Sequence, residues 1–378
     1  MIHFFDGFNW PAISTGVLDT NSFSEFWFGG DGVLLKVAGA GRLEYTINTA
    51  GRCSRPAKRT VPLGKKLVIG YNATHGAGGT SSSLGYSTWS FTPVHGPGSS
   101  QAPSFDGNYS TAIPAVANSL PVLQIGVGTS QYPGLTLRNT VNGGSLWYEA
   151  LPGVNFKSLH YYEVVYDVEN NKIEVWLDNL LVGTLAYQFT DVQKNSEFRI
   201  RLDVVGYYGS GSLYAMPSCS GVYVATERLG PVKFGYRPPA ADADVSPSFK
   251  SAPYFSKVNQ RSDGTVGPST RITTTESKQR ALFSNPTVVQ GDVLALTIGG
   301  RFSSLEQSAL EALGAAKLTL KSNGQFHQTE AISIPKQSFV KTTEYLEKSP
   351  FTGSTWTADE VNNMLFGVEI VVDPKNVS

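Results

Sequence analysis

The sequence is short of cysteine, of net charge and of long apolar runs. Only Cys53 and Cys219 occur in 378 residues. Two thiols in so long a chain are no disulfide framework, and no CxxC or Cys/His cluster has zinc spacing. Both thiols are expected to be free and buried. Lys and Arg together number 30, as do Asp and Glu, so the formal net charge is zero. Without a basic excess there is no electrostatic footprint for nucleic acid, and without an acidic tail there is no solvating segment. Nothing comes near the roughly 18 consecutive apolar residues of a membrane-spanning helix, so no membrane insertion is expected. The opening MIHFFDGFNW has no basic region ahead of an apolar one, and no signal peptide is expected. Neither G-x-S-x-G nor a P-loop is present, so acyl and phosphoryl transfer lack their usual apparatus. The five histidines, His3, His75, His95, His160 and His327, include no two at metal-ligand spacing.

What the chain does have is glycine, proline and short β-forming runs. KLVIGYN (66–72), VLQIGVG (122–128), HYYEVVYDV (160–168) and FRIRLDVVGYY (198–208) are rich in Val, Ile, Tyr and Phe and are set apart by turn residues. Many short strands without helical periodicity predict an antiparallel β-sandwich or jelly roll over 1–236. Residues 74–111, dominated by Gly, Ser and Pro, read as a long loop with scattered aromatics, and Gly76-Ala77-Gly78-Gly79 as a flexible part of it. RPPAADADVSPS begins a semi-rigid linker, 237–252, in which Asp242 and Asp244 read as solvated charges. From 253 to 378 the pattern predicts a smaller, β-rich α+β domain. VLALTIGG (293–300) and KLTLKS (317–322) read as strands, and SLEQSALEALG (304–314) has helical spacing. Thr357 followed by Glu360 is a capping box that opens a short helix over about 358–365. Gly367 is expected to break that helix before VEIVV runs out as a strand.

One stretch, IEVWLDNLLVG (173–183), raises the prospect of an active site, because Glu174 and Asp178 flank Trp176. Strand geometry argues against it. At a rise of about 3.3 Å per residue, four residues put the two carboxylates roughly 13 Å apart on one face. Glycosidase pairs need about 5–5.5 Å or about 6.5–9.5 Å. Glu-x-Asp-x-x-Glu, the strand pattern of sandwich glycosidases, would need carboxylates at 176 and 179, where Trp and Asn stand. Asp178-Asn179 reads instead as a hairpin turn, since both residue types tolerate positive φ. With the turn at Glu169-Asn170-Asn171, HYYEVVYDVENNKIEVWLDNLLVGTL becomes a three-strand meander.

The cadence of that meander, through His160, Tyr166, Asp167, Trp176, Asp178 and Gly183, resembles the closing portion of laminin-G-like and concanavalin A-like lectin domains. The resemblance implies a concanavalin A-like jelly roll over 1–236 and makes sugar binding an expectation, with Tyr86, Trp89 and Tyr109 of the 74–111 loop as the glycan-facing aromatics. No cofactor is expected. Calcium is the one metal the resemblance brings into question, with Asp19, Asp31, Asp106 and Asn108 as candidate ligands in no recognised loop spacing.

A second resemblance covers roughly 227–378. Pro350-Phe351-Thr352-Gly353-Ser354-Thr355-Trp356-Thr357, then Val361-Asn362 and Phe366-Gly367-Val368, are similar to a module of tailed-bacteriophage structural proteins, which often follows a lectin-like sandwich. ERLGPVKFGYRP (227–238) is similar to that family's joining segment. Physically the motif is a scaffold: Gly353 permits a tight turn, Trp356 anchors it and Thr357 caps the helix. The resemblance implies a non-enzymatic virion protein of tail, fibre or decoration type. It would assemble in the host cytoplasm as a homo-oligomer among other virion proteins, with its lectin-like domain outward for host-surface adhesion. The alternatives are a stand-alone glycan-binding module and, behind it, a polysaccharide-degrading enzyme.

Overall fold

In the computed structural model the described residues are 1–7, 35–38, 42–45, 51–78, 85–95, 117–127, 133–140, 144–207, 218–235, 237, 239–246, 278–302, 314–333 and 340–372. The chain divides into two compact units, Met1–Tyr236 and Arg237–Ser378. The strands of the first are β1 (Ile2–Asp6), β2 (Leu35–Ala38), β3 (Arg42–Tyr45), β4 (Gly51–Pro62), β5 (Lys66–Thr74), β6 (Gly76–Gly78), β7 (Gly85–His95), β8 (Val122–Val127), β9 (Pro133–Arg138), β10 (Ser145–Ala150), β11 (His160–Asp167), β12 (Lys172–Leu177), β13 (Leu180–Ala186), β14 (Glu197–Tyr207) and β15 (Ser218–Ala225).

They form an antiparallel sandwich. The large sheet has the order β13-β12-β11-β5-β15-β3-β2, with β1 also on β15. Against it lie a four-stranded sheet, β4-β14-β7-β6, and a three-stranded one, β10-β9-β8. The last two meet where Leu120 N–H donates to Pro93 O at 3.1 Å. Alternation decides what fills the middle. Ile173, Val175 and Leu177 of β12 point inward, as do Phe198, Ile200, Leu202 and Val204 of β14. Tyr71, Trp89, Phe91, Tyr162 and Tyr166 complete the core. Tyr166 keeps its hydroxyl satisfied on Pro121 O at 2.7 Å.

The meander β11-β12-β13 closes through Asp178 and Asn179, whose φ values of 49° and 69° suit a two-residue primed turn. Asp178 also pins the turn to the next strand. Its Oδ1 accepts from Tyr161 N–H at 2.9 Å and its Oδ2 meets His160 Nδ1 at 2.7 Å. Glu174 is engaged locally, by Lys172 Nζ at 2.5 Å and Trp176 Nε1–H at 3.2 Å.

The outward face of the large sheet is covered by the strap 227–235. Arg228 lies 3.4 Å from the Trp176 ring centroid. It donates from Nη2 to Asn179 Oδ1 at 2.8 Å and from Nε to the fully buried Glu163 at 2.5 Å. Tyr223 donates its hydroxyl to the same carboxylate, and the Tyr161 and Tyr223 hydroxyls meet at 2.7 Å. Burial and the neighbouring carboxylate hold both phenols well above the ordinary tyrosine range. Further along, Asn72 Nδ2 donates to Val232 O at 3.2 Å, and Phe234 sits over Gly221.

Three expectations for the first unit are corrected. The 74–111 stretch is not loop throughout: β5 reaches Thr74 and 85–95 is a strand of the four-stranded sheet. Gly76–Gly78 is strand β6, paired with β7 through Gly76↔Ser87, so its glycines serve a backbone ladder, not a flexible loop. Trp89 is an inward residue with no exposure, because its place in β7 turns it into the core.

The second unit contains β16 (Ala241–Val245), β17 (Lys278–Ser284), β18 (Leu296–Phe302), β19 (Gly314–Ser322), β20 (Gln325–Gln328), β21 (Ile332–Ser333), β22 (Val340–Leu346) and β23 (Leu365–Val372). One sheet runs β16-β17-β23-β19-β20, with β21 on β19, and β18 pairs β22. Within the stretch expected to be a linker, 241–245 form a strand antiparallel to β17. Asp244 keeps part of its surface in solvent but is also ion-paired: Lys321 Nζ reaches it at 2.6 Å and Arg280 at 3.9 Å. The predicted helix at 304–314 lies outside the described residues except for Gly314, which opens β19.

The Pro350–Thr357 motif is a turn and a cap. Gly353 takes φ +72° and its N–H donates to Ser349 O at 2.8 Å. Trp356 is buried, with Nε1–H on Leu346 O at 3.0 Å. Thr357 Oγ1 accepts from Glu360 N–H at 3.1 Å at the start of the helix Ala358–Asn363. The reciprocal half of the capping box is replaced, since Glu360 takes its hydrogen bond from the Ser349 hydroxyl. Gly367 does not end the helix. It sits inside β23, where a Cβ would come within 2.0 Å of Ala281 O, so glycine is required by the approach of β17.

A candidate saccharide site on the four-stranded sheet

The alternation that sends Phe198, Ile200, Leu202 and Val204 inward sends Arg199, Arg201 and Asp203 to the other face of β14. On β7, Thr92 lies opposite Arg201 and Ser90 opposite Asp203. These side chains form one strip. Arg201 Nε donates to Asp203 Oδ2 at 2.9 Å, and Thr92 Oγ1 donates to the same oxygen at 2.9 Å. A register irregularity between Arg199 and Arg201 in the β14–β4 ladder accompanies a bond from Arg199 Nη1 to Ala57 O at 3.2 Å. Burial lowers the Arg199 pKa from its ordinary value. On the adjoining three-stranded sheet, Gln124 and Thr136 face each other, both buried. Thr136 bonds Ser145 Oγ and Trp147 O at 3.0 Å each.

The strip is buried and incompletely satisfied. Arg201 is 2% exposed, and Ser90, Thr92 and Asp203 are 0% exposed. Yet Arg201 Nη2 and Ser90 Oγ have no hydrogen-bond partner. A buried polar atom without a partner costs about 1–3 kcal/mol, and more when the group is charged. Such groups point to a ligand or an ordered water that completes them. A guanidinium edge, a carboxylate and two hydroxyls fixed on rigid strands suit a ligand rich in hydroxyl groups. Asp203 is the only carboxylate the described part of the strip offers. Glu197, six residues back on β14 and roughly 20 Å along the strand, is engaged by the Thr60 hydroxyl.

Of the predicted glycan-facing aromatics, only Trp89 has a described side chain, and it lies on the other face from the strip. Trp89 is core, so its ring cannot stack on a sugar. Tyr86 stands on β7 opposite Tyr207, but its side chain lies outside the described residues. Tyr109 also lies outside them, as do Asp19, Asp31, Asp106 and Asn108. Among the described residues no three His, Cys, Asp or Glu side chains come together as a metal site. Cys219 is free and buried, and burial raises its thiol pKa. No described helix is long and apolar enough to cross a membrane. The sequence shows the alternation of β14 but not its partner across the ladder. FRIRLDV alternates apolar and charged residues, which marks a strand with one face in the core and a polar face on the other side.

No protein-family model matches the chain, and no curated protein matches it in sequence. Among solved structures, the chain is similar to the potassium-bound carbohydrate recognition domain of Emp46p. That likeness has 13% identity and a TM-score of 0.40, over 59% of this chain and 98% of that one. It is also similar to an endo-1,3-beta-glucanase from Streptomyces sioyaensis, with 18% identity and a TM-score of 0.39, over 59% and 95%. A legume lectin-like domain from Entamoeba histolytica aligns with 10% identity and a TM-score of 0.37, over 57% and 100%.

Proposed function

We propose that the first unit binds a saccharide through the strip formed by Ser90, Thr92, Arg201 and Asp203, and that it does so without catalysis. The observation that carries this reading is the pair of buried, partnerless polar atoms on Ser90 and Arg201. Hydrolysis would call for a second carboxylate about 5–10 Å from Asp203, and the described strip supplies none. We further propose that the chain is a structural component of a tailed-phage particle, with the first unit displayed and the second serving assembly. Support for that half is the likeness of Pro350–Thr357 to the phage module, together with its build as a pinned turn rather than a site. The virion would then be where the protein resides.

A glycan array probed with the full chain tests the binding half. Signal on at least one saccharide class is expected, and its loss in Arg201→Gln is the corollary. A blank array removes the proposal. Mass spectrometry of purified particles from a producing culture tests the structural half, which falls if the chain is absent from them.

A further inference from the structure

We infer that His160 is a proton-operated clasp: with both ring nitrogens protonated it ties the loop 151–159 to the turn at Asp178-Asn179, and with one protonated it lets the loop go. The geometry is that of a ring set between two acceptors. His160 opens β11, and its Nδ1 stands 2.7 Å from Asp178 Oδ2. Its Nε2 stands 3.0 Å from the main-chain oxygen of Asn155. A carbonyl oxygen only accepts, as does an ionised carboxylate, whereas a neutral imidazole has one N–H and one lone pair. Both contacts are hydrogen bonds only when both ring nitrogens carry hydrogen. Moving one proton across to Asp178 leaves the total held by the pair unchanged. Solvent reaches the pair, since the side chains of His160 and Asp178 are 17% and 48% exposed.

When the extra proton leaves, the two contacts cannot both survive. The bond to the carboxylate is charge-assisted and the stronger. Nδ1 therefore keeps its hydrogen, and the Nε2 lone pair is left facing Asn155 O. That oxygen retains its bond from Ser158 N–H at 2.9 Å, so the loop keeps its own turn and loses its tie to the sheet. Phe156 is buried and its O accepts from His75 N–H at 2.8 Å, which confines the release to the segment around Asn155 and Ser158. The other titratable groups near the pair are Tyr162 and His75. The Tyr162 ring lies 6.4 Å from that of His160, and burial raises its phenol well above the ordinary range. The His75 ring lies 5.1 Å from that of Tyr162, and burial first, then His160, lowers its pKa to about 3. Neither exchanges a proton near neutrality, so the clasp answers to one ionisation. Lys157, on the loop, is exposed, and Arg228 reaches the neighbouring Asn179 at 2.8 Å. Leu159, Leu180 and Leu181 are exposed on this loop and this turn, so the proton decides whether they form one fixed rim.

The test follows ring and loop together in the full chain. Nitrogen NMR after histidine-selective isotope labelling reads His160, assigned by its loss in His160→Gln. Hydrogen-exchange mass spectrometry reads the protection of the Lys157 and Ser158 amides. Both run from about pH 5 to 9, around the ordinary histidine range. Loop protection is expected to fall about two- to tenfold, as for one lost hydrogen bond, with the same midpoint as the ring. Level protection while His160 loses its proton overturns the inference, as does a ring singly protonated at every pH. Asp178→Asn separates a clasp from mere packing. Its amide would donate to Nδ1, so a neutral ring with hydrogen on Nε2 meets both partners, and Asn suits the positive φ of that position. The variant is expected to keep its loop protected across the range, and a fall equal to the parent's overturns the inference. Should the variant not fold, agreement or disagreement of the two midpoints in the parent decides alone.

Discussion

The two outward faces of the sandwich are both polar and buried, and they treat their polar groups in opposite ways. On the large sheet, Glu163 receives Tyr223 and Arg228, the two phenols bond each other, and Arg228 also covers Trp176. That network is closed, and the strap 227–235 seals it. On the four-stranded sheet, Arg201 and Asp203 are equally withdrawn from solvent, yet a guanidinium nitrogen and a hydroxyl are left over. The lesson is that burial alone does not separate a structural network from a binding surface. What differs between these two faces is the completeness of the hydrogen bonding. An unfilled set on a rigid strand is a cost to stability that a ligand can return.

The sharpest break between the faces comes from removing one member of the closed network. Arg228→Ala leaves the Glu163 carboxylate buried and uncompensated and is expected to cost about 3 kcal/mol, near the lower end for such pairs because Arg228 keeps a quarter of its surface in solvent. Chemical denaturation measures it. A cost under about 1 kcal/mol, the usual value of an exposed pair, would remove the distinction.

A second test concerns the core between the faces, where orphaned polar atoms face no outside at all. His75 accepts from Trp89 N–H through Nδ1 at 3.3 Å, while its Nε2, the Trp89 indole nitrogen and the Tyr162 hydroxyl have no partner. Burial first, and then His160, lowers the His75 pKa to about 3 from 6.5. The folded state therefore refuses a proton that the unfolded state accepts. Stability is at its full value above pH 6.5 and declines as the pH falls from 6.5 toward 3. At pH 5 the loss is about 2 kcal/mol, at roughly 1.4 kcal/mol per pH unit. His75→Gln should flatten that limb of the stability profile, and an unchanged slope would show the decline to come from elsewhere.

The smallest effect expected is on the outward face of the four-stranded sheet. Ser90→Ala removes a buried hydroxyl that bonds nothing, so stability should stay within about 0.5 kcal/mol of the parent or rise. A loss comparable to that of Arg228→Ala would mean that the hydrogen bonding of this face is as complete as that of the other.

How much of this was legible in the sequence follows from where each structure gets its hydrogen bonds. The turn at Asp178-Asn179 and the cap at Thr357 are local, made by residue types that suit them, and they could be read directly. The β-sandwich was legible through its apolar runs. Strand β6 was not, because Gly76–Gly78 has no side chains to alternate and its ladder is supplied by β7. Strand β16 was hidden by prolines and small residues before it, and its Asp244 is balanced by Lys321, 77 residues away. Trp89 was misplaced because a Gly/Ser-rich neighbourhood outweighed the two-residue spacing of Trp89 and Phe91. The strip escaped for a related reason. A lone Arg or Asp on a strand is unremarkable, and only the register of β14 against β7 puts Arg201 and Asp203 beside Thr92 and Ser90.

The pairing of β1 with β15 has a consequence for synthesis. Ile2 lies against Ala225, and the Met1 amino group donates to Thr226 Oγ1 at 3.0 Å. A ribosome adding about 5–20 residues per second needs on the order of ten to forty seconds to make the partner that β1 requires. Through that interval the apolar IHFFD strand is without its sheet. The meander of β11, β12 and β13, whose partners are close in sequence, can form first. The first unit is thus expected to assemble outward from its middle, with its own beginning installed last, and a nascent chain stopped short of β15 should stay sensitive to protease at β1 while the meander is already protected.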